Sequence, residues 1–121
     1  ARGIDGIGLV APTSSAERRR AIASVSRGFL YFISRAGVTG ARDDLPPDLE
    51  AQVRATRKDG HGLPVAVGFG LSRPEQVRAV RGFADGFVVG SALVRLIEEQ
   101  GADPGLPQAL ERACRSFREA A

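Results

Sequence analysis

Four stretches of this 121-residue chain are apolar almost without interruption, and each is short. They fall near residues 4–10 (IDGIGLV), 28–34 (GFLYFIS), 64–69 (PVAVGF) and 86–90 (GFVVG). Short apolar runs bounded by glycine and proline predict strands of a parallel sheet covered on both faces. Between them the apolar positions recur at helical spacing. Thr13 or Ser14 is placed to cap a first helix, with Glu17 in its first turn and Ala21, Ile22 and Val25 inward. Pro46-Pro47 opens a second, from about Asp48 to Thr56, with Leu49 and Val53 inward. Pro74 opens a third, with Val77, Val80 and Phe83 facing the sheet. Leu93, Val94, Leu96 and Ile97 do the same in a fourth that starts at Ser91. A last helix near residues 106–119 sets Leu110, Ala113, Cys114 and Phe117 on one side. The expectation is βα repeated four times plus one helix, a single domain over residues 1–121, with right-handed parallel crossovers.

The third and fourth units share a feature that carries chemistry. Each apolar run ends in glycine and leads to a helix start: Gly70-Leu71-Ser72 before Pro74, and Gly90-Ser91 directly. Glycine lets a ligand approach the backbone and accepts φ > 0. Helix-start N–H groups point outward, and the macrodipole adds about half a positive charge. Gly70, Gly90 and Ser91 are therefore expected to help form a phosphate cradle made largely of backbone. The loop at residues 35–44, with two glycines and several charges after a strand end, reads as a functional cover. His61, the only histidine, and Asp85 both precede strands, whereas catalytic groups in parallel α/β folds gather after them. Neither is expected to do chemistry.

Charge and composition narrow the field without redirecting it. The net charge is +3, but Lys58 is the sole lysine and the arginines are scattered. The one tight run, Arg18-Arg19-Arg20, lies in a helical pattern and reads as a solvated face, so no nucleic-acid partner is expected. Cys114 stands alone, without disulfide or metal-ligand companions, and is expected to be buried filler. No run approaches the ~20 apolar residues that span a bilayer, and no signal-peptide pattern is present. A soluble, cytoplasmic protein without a membrane partner is the expectation. The chain has no methionine and begins at alanine, so it is expected to be processed or a piece of something longer.

Three segments carry a specific likeness: YFISRAGVTG at 31–40, GFGLSRPEQV at 68–77 and VVGSALVRLIEE at 88–99. In order and spacing the chain resembles the α chain of tryptophan synthase, from about residue 4 to residue 117. The resemblance implies the C-terminal half of a TIM (βα)8 barrel, its last four βα units. It implies aldol cleavage of indole-3-glycerol phosphate to indole and glyceraldehyde 3-phosphate in tryptophan biosynthesis. Indole would pass to a partner β chain, to which pyridoxal phosphate belongs; no cofactor or metal is implied for this chain. By the same likeness Gly40, Gly70, Gly90 and Ser91 bind the substrate phosphate. Tyr31 stands near the reacting centre, Phe69 and Val88 lie near the indole, and Thr39 and Gly40 belong to a closing loop.

The resemblance also implies what is lacking. A whole barrel takes about 250 residues. The family's two catalytic carboxylates belong to its first half, and no residue here corresponds to either, so the segment alone is expected to be inactive. Asp43 and Asp44 read as helix-start charges rather than an acid pair. A half barrel would leave two strand edges unpaired, so the isolated fragment is expected to self-associate. The alternative is a non-catalytic phosphate-binding or self-assembling half-barrel module.

Overall fold

The computed structural model describes residues 2–34, 45–68, 70 and 72–121. In chain order these form β1 (Gly8–Val10), α1 (Ala16–Val25), β2 (Leu30–Ile33), α2 (Leu49–Asp59), β3 (Val65–Gly68), α3 (Pro74–Val80), β4 (Gly86–Val88), α4 (Ser91–Gln100) and α5 (Leu106–Ala120). The four strands pair in sequence order, all parallel. Each of the first three helices returns the chain to the next strand, as the spacing of apolar runs predicts. No helix among the described residues is long and apolar enough to cross a membrane.

Register decides which side chains are buried. Leu30 pairs with Val65, and two rows further on Val10, Phe32 and Val67 stand side by side. All five are at most 1% exposed, packed with Leu49, Val53, Val80 and Phe83 of the helical layer. At about 25 cal/mol per Å² of apolar surface, this side of the sheet supplies most of the hydrophobic drive to fold. The intervening rows, Leu9–Tyr31–Ala66–Gly86 and Ile33–Gly68–Val88, point to the opposite face. There Leu9 is 57% and Val88 38% exposed, so that face is not covered among the described residues. This corrects the expectation of a sheet covered on both faces. The apolar residues of the open face are present, but nothing described packs on them.

Other expectations shift for local reasons. The first strand is only Gly8–Val10, and Ile4 is 84% exposed. Gly6 instead accepts a hydrogen bond from Arg27 N–H at 2.9 Å, which ties it to the α1–β2 turn. Ser15, not Thr13 or Ser14, caps α1 by accepting from Arg18 N–H; the Ser14 hydroxyl accepts from Ala11 N–H. Val25 of α1 is exposed, and Ala23 takes the buried position. Cys114 is exposed as well, because Ala109, Phe117 and Ala120 form the buried stripe of α5. Leu93, Val94, Leu96 and Ile97 do not pack as a sheet-facing row. α4 leans on α5, buries no residue fully, and leaves Val94 and Ile97 exposed.

Two carboxylates hold the ends of helices and strands opposite the predicted cradle. Asp59, buried at the end of α2, receives Arg19 Nε at 2.9 Å and Arg20 Nε at 3.2 Å. Arg19 also donates to the Ser14 carbonyl, so part of the arginine run clamps α1 to α2 instead of facing water. The Arg19 hydrogen bond is the main reason the Asp59 carboxyl lies below its usual range. Asp85 pairs with Arg57 and accepts from Val65 N–H at 2.9 Å, while its own N–H donates to the Val65 carbonyl. Arg57 is likewise the leading cause that holds Asp85 low. These contacts close the N-terminal ends of β3 and β4. His61 lies at that same end, in the turn before β3 with φ 51°.

Candidate functional site

The opposite, C-terminal ends of the strands bring the singled-out residues together. Ile33, Gly68 and Val88 are register partners, so β2, β3 and β4 finish at one level. Gly70 follows two residues after Gly68, and Gly90 two residues after Val88. Both glycines therefore emerge from neighbouring strand tips on the same edge of the sheet. The Gly70 turn also reaches the start of the helix that follows Gly90: a Cβ placed on Gly70 would stand 3.9 Å from Ser91 Oγ. Gly70 has φ +64°, in the left-handed region that glycine adopts without steric cost. Gly70, Gly90 and Ser91 are all exposed, so a ligand can reach them.

The electrostatics of that corner favour an anion. Gly90 is the N-cap of α4, and no side chain caps it. The first turns of α1, α2 and α3 carry Glu17, Glu50 and Glu75, whereas α4 has no acidic residue in its first turn. The N-terminal end of the α4 dipole is thus left uncompensated beside the Gly70 turn. Backbone amides and one hydroxyl, with no carboxylate among them, can bind an oxyanion but cannot move a proton as a buried acid or base would. Among the described residues no group of three or more His, Cys, Asp or Glu side chains is placed to hold a metal ion.

Beneath the glycines lies an apolar floor. Tyr31 sits on the open face of the sheet, and its ring crosses to the end of β3. A Cβ on Gly68 would fall 2.2 Å from Tyr31 Oη and 2.6 Å from Cζ. Gly68 is the absence of a side chain that lets the Tyr31 ring lie there, and Val88 flanks it from β4. Five of the residues named from sequence, Tyr31, Gly70, Val88, Gly90 and Ser91, therefore share one end of the sheet. Thr39, Gly40 and Phe69 lie outside the described residues, as do Asp43 and Asp44.

Sequence reasoning missed Gly68 and Gln76. Gly68 opens the GFG string and looks like one more loop glycine until the tyrosine is seen against it. Gln76 had a readable signal: a glutamine three residues after a helix N-cap is one half of a capping box. Its Oε1 accepts from Ser72 N–H at 2.9 Å and Arg73 N–H at 3.1 Å.

Comparison with known proteins follows the same lines. The sequence model of the family described as "Tryptophan synthase alpha chain" matches residues 1–121. A tryptophan synthase alpha chain from Dehalococcoides mccartyi is 47% identical over 104 residues, which is 86% of this chain and 39% of the relative. One from Prochlorococcus marinus is 48% identical over 123 residues, 100% of this chain and 44% of the relative. A chain in a solved tryptophan synthase α2β2 complex from Pyrococcus furiosus superposes with a TM-score of 0.83 at 35% identity, over 97% of this chain and 46% of that one. The chain spans less than half the length of these relatives, and its four parallel βα units are part of a TIM-type barrel. On the family match across its whole length, this chain belongs to the tryptophan synthase alpha chain family.

Proposed function

We propose that this chain is the phosphate-gripping part, the last four βα units, of a lyase that cleaves indole-3-glycerol phosphate to indole and glyceraldehyde 3-phosphate. The observation that carries the reading is the meeting of Gly70 with Gly90 and Ser91 at adjacent strand tips, above Tyr31 and Val88. The amides and the Ser91 hydroxyl take the phosphate of the glycerol side chain. Tyr31 and Val88 line the path towards the indole. Binding at the phosphate fixes the substrate end remote from the bond that breaks, which converts affinity into orientation. The acid and base that act on the glycerol hydroxyl and the indole nitrogen come from outside this chain. The chain carries no cofactor of its own; its partner is a β chain with pyridoxal phosphate, which consumes the indole, and the assembly works in the cytoplasm.

Turnover tests this division of labour. The chain alone is expected to release no indole from indole-3-glycerol phosphate above the uncatalysed rate. Addition of the four complementary βα units from a relative is expected to restore release. Indole production by the chain alone would contradict the assignment of the carboxylates elsewhere.

The open face of the sheet and the outer edges of β1 and β4, unpaired among the described residues, favour a second property. Leu9 and Val88 lie on that face, Ile4 and Val25 are exposed near the β1 edge, and Val94 and Ile97 on α4. Without complementary units, two copies bury this surface by setting β4 of one beside β1 of the other, in parallel. Sedimentation equilibrium of the isolated chain is expected to give about twice the 12.8 kDa chain mass. A stable monomer with cooperative unfolding would contradict it.

A further inference from the structure

Gln76 is buried, at 7% exposed, yet its carboxamide serves the loop rather than the core. Its Oε1 accepts from Ser72 N–H at 2.9 Å, from Arg73 N–H at 3.1 Å and, at 3.4 Å, from the Ser72 hydroxyl. The Gln76 N–H in turn donates to the Arg73 carbonyl at 3.1 Å. A cap serving α3 alone would need only the Arg73 contact. The Ser72 contacts reach past the helix start and fasten the turn two residues beyond Gly70. Pro74, at the first position of α3, has no N–H to offer, so this one oxygen takes the donors immediately upstream. Val77, the next residue, is fully buried and anchors that end of α3 against Phe117 and Ala120 of α5.

We infer that Gln76 is a positioning residue for phosphate binding: it holds the turn that carries Gly70 and Ser72 in the shape the ligand meets. The inference rests on the phosphate reading of Gly70, Gly90 and Ser91 given above. Without the Gln76 oxygen, two backbone amides and a hydroxyl of the turn lose their shared acceptor, and the turn must be ordered anew each time a ligand binds. Ordering of that kind is subtracted from affinity. Because Gln76 does not touch the ligand, its effect falls on binding and not on the reacting atoms.

The test compares the native protein with Gln76→Met and Gln76→Asn, the second too short to reach both amides and polar enough to be tolerated. Binding of glycerol 3-phosphate is read by calorimetry, and steady-state kinetics with indole-3-glycerol phosphate by indole release after each protein is complemented with the four βα units from a relative. Each variant is expected to weaken glycerol 3-phosphate binding about tenfold and to raise KM by a similar factor, with kcat within about twofold. Amide exchange at Ser72 and Arg73 is expected to quicken in both and to stay slow in Gln76→Glu, which keeps an acceptor oxygen. Wild-type binding with unchanged affinity in either variant would overturn the inference alone. A fall in kcat with KM unchanged would overturn it too. A wild type that binds no glycerol 3-phosphate would overturn the phosphate reading itself, and this inference with it.

Discussion

Gly90→Asp is expected to weaken glycerol 3-phosphate binding by about 100-fold or more while leaving the fold as stable as before, since a carboxylate about 4–5 Å from the ligand at an effective dielectric of about 20 opposes each unit of its charge by about 3–4 kcal/mol. The two effects separate because Gly90 does two jobs. As the N-cap of α4 it lacks a side chain, and a Cβ there would meet nothing within 4 Å. Aspartate is therefore accommodated, and as an N-cap it matches or slightly improves on glycine, by a few tenths of a kcal/mol. The same carboxylate would occupy the amide donors that the phosphate needs. Gly90→Ala supplies the control, with room for its methyl and no charge, and is expected to bind within about threefold of wild type. Calorimetry and thermal unfolding on the same three proteins check both halves. An aspartate variant that binds as wild type does would remove Gly90 from the site.

The second large effect concerns the floor of the site. Gly68→Ala places a methyl 2.2 Å from Tyr31 Oη, 2.6 Å from Cζ and 2.8 Å from Cε2. No rotation of the hydroxyl relieves a clash with the ring carbons, so the ring must leave the strand end or the strands must part. Overpacking of this kind costs about 1–3 kcal/mol. Tyr31→Ala removes the obstacle, and the two substitutions are expected to be strongly non-additive, with at least about 1 kcal/mol of the Gly68→Ala loss recovered in the double variant. Denaturant unfolding of the four proteins measures this. Additive losses would mean that the ring does not lie across Gly68.

The grammar of the fold was legible because helix and strand signals agreed with each other. Leu49, Val53, Val80 and Phe83 recur at helical spacing, and each is buried against the rows of Leu30, Phe32, Val65 and Val67. The sidedness of the sheet was not. Leu9, Tyr31, Ile33 and Val88 are as apolar as their neighbours, because the inner side of a barrel is packed too. Hydrophobicity records what a residue is suited to, whether or not its cover belongs to the same chain. The same reason explains α4, whose apolar residues look like a sheet-facing row but are left half-exposed beside α5. Arg19 defeated composition differently: a charged helix face reads as solvated until a distant carboxylate, Asp59, is brought against it by packing.

The candidate site was readable where it depended on backbone. Gly70 and Gly90 each follow a strand and precede a helix, and parallel pairing in sequence order then forces them to the same edge. Side-chain supports were harder to see. The role of Gln76 depends on where its carboxamide folds back, and that of Gly68 on the reach of a tyrosine from the next strand. Spacing marks Gln76 as half of a capping box, but not which amides its carboxamide folds back onto, and it says nothing of the tyrosine against Gly68.

The central claim is that amides from two neighbouring strand tips close on one phosphate. Its most direct measurement is a titration of the nitrogen-15-labelled protein with glycerol 3-phosphate, followed at every backbone amide. The account predicts that Gly70, Gly90 and Ser91 shift together along one saturable curve, while the Asp59 and Asp85 amides at the far end of the sheet stay still. Shifts confined to the arginines, or separate curves for Gly70 and Gly90, would contradict it.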